Sequence, residues 1–302
     1  MRDPKIEREI RSVWKPRPRR SNKKDFGRIF ILAGSQGFTG AAALTSFAAL
    51  RAGAGLVTLG CPDKVYPILA RRHPEVMVRP FASTGEGTLA EKSFPEIARF
   101  LKTQDVLALG PGLSRHSGTQ RLVRKIFLHA PIPLVVDADG VNALRGRPEL
   151  LRKFKRVPIL TPHPGEFVRA FGGTKPQTDS ERKRRAMEVA REFRIILVLK
   201  GHRTVTAEPG GKISVNPTGN PGMATGGTGD VLTGIIAALL GQGMNPFDTA
   251  RFGVYLHGLA GDLAVRKLGE VSLVAGDLIE FLAQATRIVQ SKVDLTASRI
   301  IW

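Results

Sequence analysis

From residue 28 to residue 199 the chain repeats one pattern: a short apolar run ending near a small or turn-forming residue, then a helix-length segment. The runs are 28–34, 55–60, 76–79, 105–110, 133–137, 157–160 and 195–199, and the segments between them include 40–52, 62–72, 91–102, 117–129 and 180–193. Near-continuous apolar runs of this length suit strands buried on both faces. Regular β–α alternation then predicts a parallel sheet with helices on either side. The style changes over 203–215, where the Glu208-Pro-Gly-Gly-Lys212 turn joins two short β-like runs. That predicts an antiparallel hairpin at one edge of the sheet. Helices are expected at 229–241, 247–267 and 275–290. The expected fold is a three-layer α/β/α sandwich with a mostly parallel central sheet and helices on both faces.

Charge restricts the partners. Lys and Arg number 46 against 26 Asp and Glu, a formal charge of +20, which favours anionic ligands: nucleic acid, an acidic membrane surface, or a phosphate-rich small molecule. Only 6% of residues are aromatic, which argues against base stacking and so against an RNA-binding protein. No apolar run approaches the roughly 20 residues of a membrane span, and no signal-peptide segment opens the chain. With Cys61 the one cysteine, there is no internal disulfide, and a reducing, cytoplasmic setting is expected. Residues 1–28 carry eleven basic and four acidic side chains. Residues 1–24, with the basic, proline-rich stretch 15–20, are expected to be an arm, a solvated or packing extension that catalysis does not need. Residues 25–302 are expected to form a single domain. Trp14 and Trp302 carry no signal, and His73, His129 and His257 are expected to be structural or surface residues.

In a parallel sheet ligands lie beyond the C-terminal strand ends. Just there the sequence places Ala33-Gly34-Ser35, Gly110-Pro111-Gly112, Asp137-Ala138-Asp139, 161–166 and Lys200-Gly201. The densest signal is 216–230, with five glycines in fifteen positions, running into an apolar helix. Glycines let backbone amides approach a ligand, and the helix start that follows favours an anion. Gly226, Gly227, Thr228 and Gly229 are therefore a candidate phosphate cradle. Asp230 is either a carboxylate facing the transferred group or an N-cap. The Walker pattern is absent, and the glycines of 34–40 lack dinucleotide-fingerprint spacing. Asp137 and Asp139 are open between a paired ligand site and, for Asp139, a helix cap.

The glycine-Thr-Gly-Asp run at 227–230 resembles the ribokinase-like superfamily. In order along 25–290, the motifs at 33–35, 39–42, 51–56, 110–113, 136–144, 160–166, 199–201 and 220–230 resemble the ADP- or ATP-dependent NAD(P)H-hydrate dehydratase family. The resemblance implies repair of NADHX and NADPHX: a nucleotide phosphorylates the ring hydroxyl, and phosphate then leaves. It implies Asp230 as the base, Ala41, Ala42, Gly112 and His163 as substrate contacts, and Lys200, Gly201, His202, Arg203 and Thr204 with 226–229 as nucleotide contacts. Glu166, in an H-x-x-E similar to the N-x-x-E of ribokinases, is implied to act on Mg2+ through water. ADP or ATP is the implied co-substrate, with ADP favoured. A homo-oligomer, often a tetramer, and a functional link to an NAD(P)HX epimerase are also implied, with only the dehydratase part in this chain. The rival reading is a small-molecule kinase for a sugar or vitamin precursor, which shares the fold and the same helix.

Overall fold

The computed structural model describes residues 2–14 and 17–291; Lys15, Pro16 and Trp302 lie outside them. Helix α1 (Pro4–Val13) precedes β1 (Arg28–Leu32), α2 (Thr39–Arg51), β2 (Leu56–Pro62), α3 (Tyr66–Leu69), β3 (Met77–Phe81), α4 (Phe94–Leu101) and β4 (Val106–Leu109). Next come α5 (Ser117–His129), β5 (Leu134–Val136), α6 (Ala138–Asn142), β6 (Ile159–Leu160), α7 (Pro164–Phe171), α8 (Asp179–Phe193) and β7 (Ile196–Leu199). A hairpin of β8 (Val205–Ala207) and β9 (Ile213–Val215) leads to α9 (Thr228–Gly241), α10 (Pro246–Leu268) and α11 (Ala275–Gln290).

The strands form one sheet in the order β3-β2-β1-β4-β5-β6-β7-β8-β9. Neighbours from β3 through β7 pair in parallel, and the last two pairings are antiparallel. The expected layers and edge hairpin are therefore present. Side chains alternate across the sheet as strand geometry requires: Ile29 and Ile31 enter one core with α2, α9, α10 and α11, while Phe30 and Leu32 enter the other with α5, α7 and α8. Helix α9 is buried continuously from Val231 to Leu240, which explains its lack of a polar face. It crosses α2 so closely that a Cβ on Gly234 would lie 2.2 Å from the carbonyl oxygen of Thr45.

Three expectations are corrected. Residues 4–14 are not a free arm but a helix docked by one face: Asp3 caps α1 by accepting from the Lys5 and Ile6 amides, Ile10 and Trp14 are buried in the main core, and Pro4, Lys5, Arg8 and Ser12 face solvent. The Trp14 indole donates to Gln242 Oε1 at 2.9 Å, so it packs rather than decorates a terminus. Glu7 is buried as well, with a two-pronged bond from Arg2 and one from the Tyr255 hydroxyl. Burial raises its pKa, but those donors more than offset the rise and hold the carboxyl below its usual range. The helix expected over 62–72 shrinks to the single turn of α3, since apolar side chains reaching the core end at Leu69 and Arg71 and Arg72 are exposed. Helix α7 was not expected; its signal was Pro164 at the first position and Glu166 at the third. No helix among the described residues is long and apolar enough to cross a membrane.

Candidate active site

Strand ends β5, β6 and β7 and the start of α9 converge on one buried carboxylate. Asp137, 1% exposed, accepts from Thr161 Oγ1 at 2.8 Å, Lys200 Nζ at 2.7 Å and Thr233 Oγ1 at 2.8 Å. Three donors on a buried anion satisfy it fully. Asp137 thus joins three strand ends to the second turn of α9 and aims the Lys200 ammonium. Asp139 does not pair with it: its carboxylate accepts from the Ser114 amide and the Asn142 side chain and holds a loop. The cap of α6 is Asp137 by position, with no side-chain bond to the helix.

Helix α9 starts without a side-chain cap. Its N-cap is Gly227 at φ +92, a left-handed conformation that favours glycine. With no cap, the first-turn amides keep their donors for an anion. Asp230 is the third residue of this helix, not its cap. Burial lifts its pKa to about 7; Asp137 and Glu166 push the same way, and Lys200 opposes them. The His257 ring nitrogen Nε2 lies 2.8 Å from the Thr228 carbonyl, and burial lowers that imidazole to about 4. A neutral His257 therefore donates to the loop at the helix start. It is a wall of the site, and its position on an apolar helix gave no motif by which to find it.

Two cavities meet here. One of about 400 Å³ is walled by Asp137, His163, Glu166, Lys200, Gly227, Thr228, Gly229 and Asp230. Its neighbour, about 540 Å³, is walled by Lys200 through Thr204, Asn216, Thr218, Met223, Leu232, Val254 and His257, among others. Lys200, Gly201, Thr228 and Gly229 line both. Both volumes suit small-molecule sites, and a ligand in each would meet over the Lys200 ammonium and the α9 amides. Gly226 is exposed and lines neither.

His163 caps α7, its Nδ1 accepting from the Gly165 amide at 2.9 Å and the Glu166 amide at 3.4 Å. Glu166 completes the box through Oε2 to the His163 amide at 2.9 Å. Burial, then Lys200 and Arg169, lower the His163 pKa, so the ring is a neutral acceptor at Nδ1. Glu166 is raised, by burial first and by Asp137 next, against the pull of Lys200 3.9 Å away. The structure brings Ala41 and Gly112 together, since a Cβ on Gly112 would sit 3.1 Å from Ala41 Cβ, but neither walls the Asp230 cavity. Ala42 is fully buried, and its Cβ packs at Gly34.

A divalent ion can be weighed against these donors. Among the described residues no three His, Cys, Asp or Glu side chains form a cage. Mg2+ ordinarily takes only one or two carboxylates, keeps waters and shares substrate phosphates. The hard oxygens of Glu166 and Asp230 on one cavity wall fit that partial ligation.

Comparison with known proteins identifies the family. The family described as NAD(P)H-hydrate dehydratase matches residues 29–284. The bifunctional NAD(P)H-hydrate repair enzyme of Moorella thermoacetica is 45% identical over 280 residues, 92% of this chain and 53% of that protein. The Escherichia coli enzyme of the same description is 37% identical over 273 residues, 90% of this chain and 50% of its own. The chain thus spans about half the length of the curated relatives it matches. Among solved structures, the ADP/ATP-dependent NAD(P)H-hydrate dehydratase of Bacillus subtilis, co-crystallised with ATP/Mg2+, superposes with a TM-score of 0.81 at 33% identity, covering 94% of this chain and 97% of that one. Hydroxyethylthiazole kinase of Pyrococcus horikoshii, at 16% identity, covers 93% of this chain and 92% of its own with a TM-score of 0.61, a likeness of fold alone.

Proposed function

The chain belongs to the NAD(P)H-hydrate dehydratase family, and from that premise we propose that it uses ADP or ATP to dehydrate NADHX and NADPHX back to NADH and NADPH. The observation that carries the reading is Asp230: a carboxylate with its pKa lifted to about 7, in the smaller cavity beside the helix start and the Lys200 ammonium, which border a second cavity. The larger cavity takes the nucleotide, with Lys200 through Thr204 along its phosphates. The smaller takes the ring bearing the hydroxyl. A dinucleotide is long enough to reach from Asp230 toward Ala41 and Gly112.

Asp230, deprotonated, accepts the hydroxyl proton as that oxygen attacks the terminal phosphorus. The bond from phosphorus to the bridging oxygen breaks, and the shortened nucleotide leaves with its electron pair. The amides of Thr228 and Gly229, with Lys200, stabilise the charge on the phosphoryl oxygens. The ring now carries a phosphate ester; its carbon–oxygen bond breaks, phosphate departs with the electrons, and loss of a ring proton restores the double bond. Glu166 would hold a nucleotide-bound Mg2+ through water, and the ion would neutralise phosphate charge there. His163, neutral and capping, borders the ring pocket through its Nε2 side. We further propose a cytoplasmic homo-oligomer, a tetramer by family resemblance, functionally linked to an NAD(P)HX epimerase.

Mixing the protein with NADHX, Mg2+ and each nucleotide in turn, and following absorbance at 340 nm, tests this. NADH should appear only with nucleotide and divalent ion together. Full turnover in EDTA without nucleotide would overturn the reading, and the faster of the ADP and ATP traces names the donor.

A further inference from the structure

We infer that Arg182 is a positioning residue that presets the backbone of residues 199–204 for a nucleotide's phosphates, an inference that rests on reading the larger cavity as the nucleotide site. Arg182 stands in the second turn of α8, and its side chain is 12% exposed. Its guanidinium gathers three carbonyls of one loop: Nη1 donates to His202, and Nη2 to Leu199 at 3.3 Å and Lys200 at 3.5 Å. A planar fork with several donors in fixed directions serves three acceptors at once and fixes where each one lies, which a rotating ammonium on a flexible stem does not. The preceding turn of the same helix grips the loop again, with Asp179 Oδ1 3.8 Å from Arg182 Nη1 and Oδ2 3.5 Å from Arg203 Nη1.

The consequence lies on the other edge of each peptide. In a trans peptide the C=O and the following N–H point in opposite directions. Carbonyls of Lys200 and His202 drawn to Arg182 therefore turn the Gly201 and Arg203 amides away from it. Gly201 and Arg203 line the cavity and Arg182 is not among its walls, as amides turned from the guanidinium toward the cavity require. A cation on the carbonyls also polarises those peptides and strengthens their N–H groups as donors. The backbone needs this hold, because Arg203 sits at φ +53, a left-handed conformation uncommon outside glycine. Lys200 is thus fixed at both ends, its carbonyl by Arg182 and its ammonium by Asp137.

The test compares ADP and ATP binding by calorimetry in the unaltered protein, Arg182→Met and Arg182→Lys, with steady-state kinetics on each. The expected result is a nucleotide Kd raised about tenfold or more in Arg182→Met, most of that loss persisting in Arg182→Lys, with nucleotide KM rising by a larger factor than kcat falls. Lysine keeps the charge but not the fork. Full affinity in Arg182→Lys beside weak binding in Arg182→Met would overturn the inference, because charge alone would then suffice. Unchanged affinity in Arg182→Met with a lowered Tm would also overturn it, leaving a stabilising residue only. If Arg182→Met does not fold, Arg182→Lys decides by itself: weakened binding supports the inference and full affinity overturns it. An unaltered protein that bound neither nucleotide would overturn the site reading and this inference with it.

Discussion

A single carboxylate, Asp230, holds two opposed requirements: it must be ionised to accept a proton, and its surroundings resist ionisation. With a pKa of about 7, kcat/KM should climb close to tenfold per pH unit below about 7 and level off above it. A flat profile from pH 5.5 to 8 would assign the proton elsewhere. Asp230→Asn keeps the size of the side chain, so nucleotide Kd should stay within about twofold while kcat falls by about 10²–10⁴. A loss under about tenfold, roughly 1.4 kcal/mol of barrier, would send the search for the base to Glu166, which lines the same cavity. Stability gives an independent sign. A carboxyl whose folded pKa is raised binds more protons in the folded state than in the unfolded chain between its ordinary value and about 7, so folding weakens as pH rises through that window. Asp230→Asn removes that penalty. Its Tm should exceed that of the unaltered protein at pH 8 and match it near pH 4; thermal melts at the two pH values decide.

Two elements hold the site in place: the buried helix α9, which carries Asp230, and helix α1, which braces the nucleotide cavity through Tyr255. Along α9, Gly234 allows contact with the α2 backbone, where a Cβ would meet the Thr45 carbonyl oxygen at 2.2 Å. Backbone cannot rotate out of the way as a side chain can. Gly234→Ala should therefore cost about 3 kcal/mol, the upper part of the range for overpacking, and should lower kcat by tilting the helix that carries Asp230. Denaturant midpoints and the 340 nm assay measure both. Helix α1 packs Ile10 and Trp14 into the main core and bonds Tyr255, whose own carbonyl accepts from Thr218 Oγ1 at 3.0 Å at the nucleotide cavity wall. Deleting residues 2–14 strips buried apolar surface and the Glu7–Tyr255 bond together. The expected outcome is a Tm lower by several degrees, with nucleotide binding weakened, which replaces the expectation of a dispensable arm. Wild-type melting and affinity after the deletion would restore it.

Over the whole molecule, the +20 charge draws polyphosphate from a distance before any contact forms. Raising ionic strength from about 0.05 M to about 0.5 M shortens the screening length several-fold, so calorimetry should show ATP affinity falling more than ADP affinity; equal losses would remove the long-range contribution. Much of this architecture was legible without coordinates, because its signals are local. Apolar runs of strand length alternate with helical spacing, so the parallel sheet, the edge hairpin and the last three helices follow from side-chain periodicity. The glycines before Asp230 mark a helix start that backbone sterics alone make recognisable, and Lys200 stands at a strand end where such sheets gather ligands. Long-range partners were not legible. Nothing in the sequence pairs Asp137 with Thr161, Lys200 and Thr233, or Arg182 with three carbonyls about twenty residues downstream, or Trp14 with Gln242. Those contacts are chosen by how strands order themselves across the sheet. The proton affinity of Asp230 belongs to the same class: burial and neighbouring carboxylates set it, and only packing creates either. Periodicity and local sterics decided the elements and where a site could form, while the electrostatics and the grip on its loops arose when distant residues met in a low-dielectric interior.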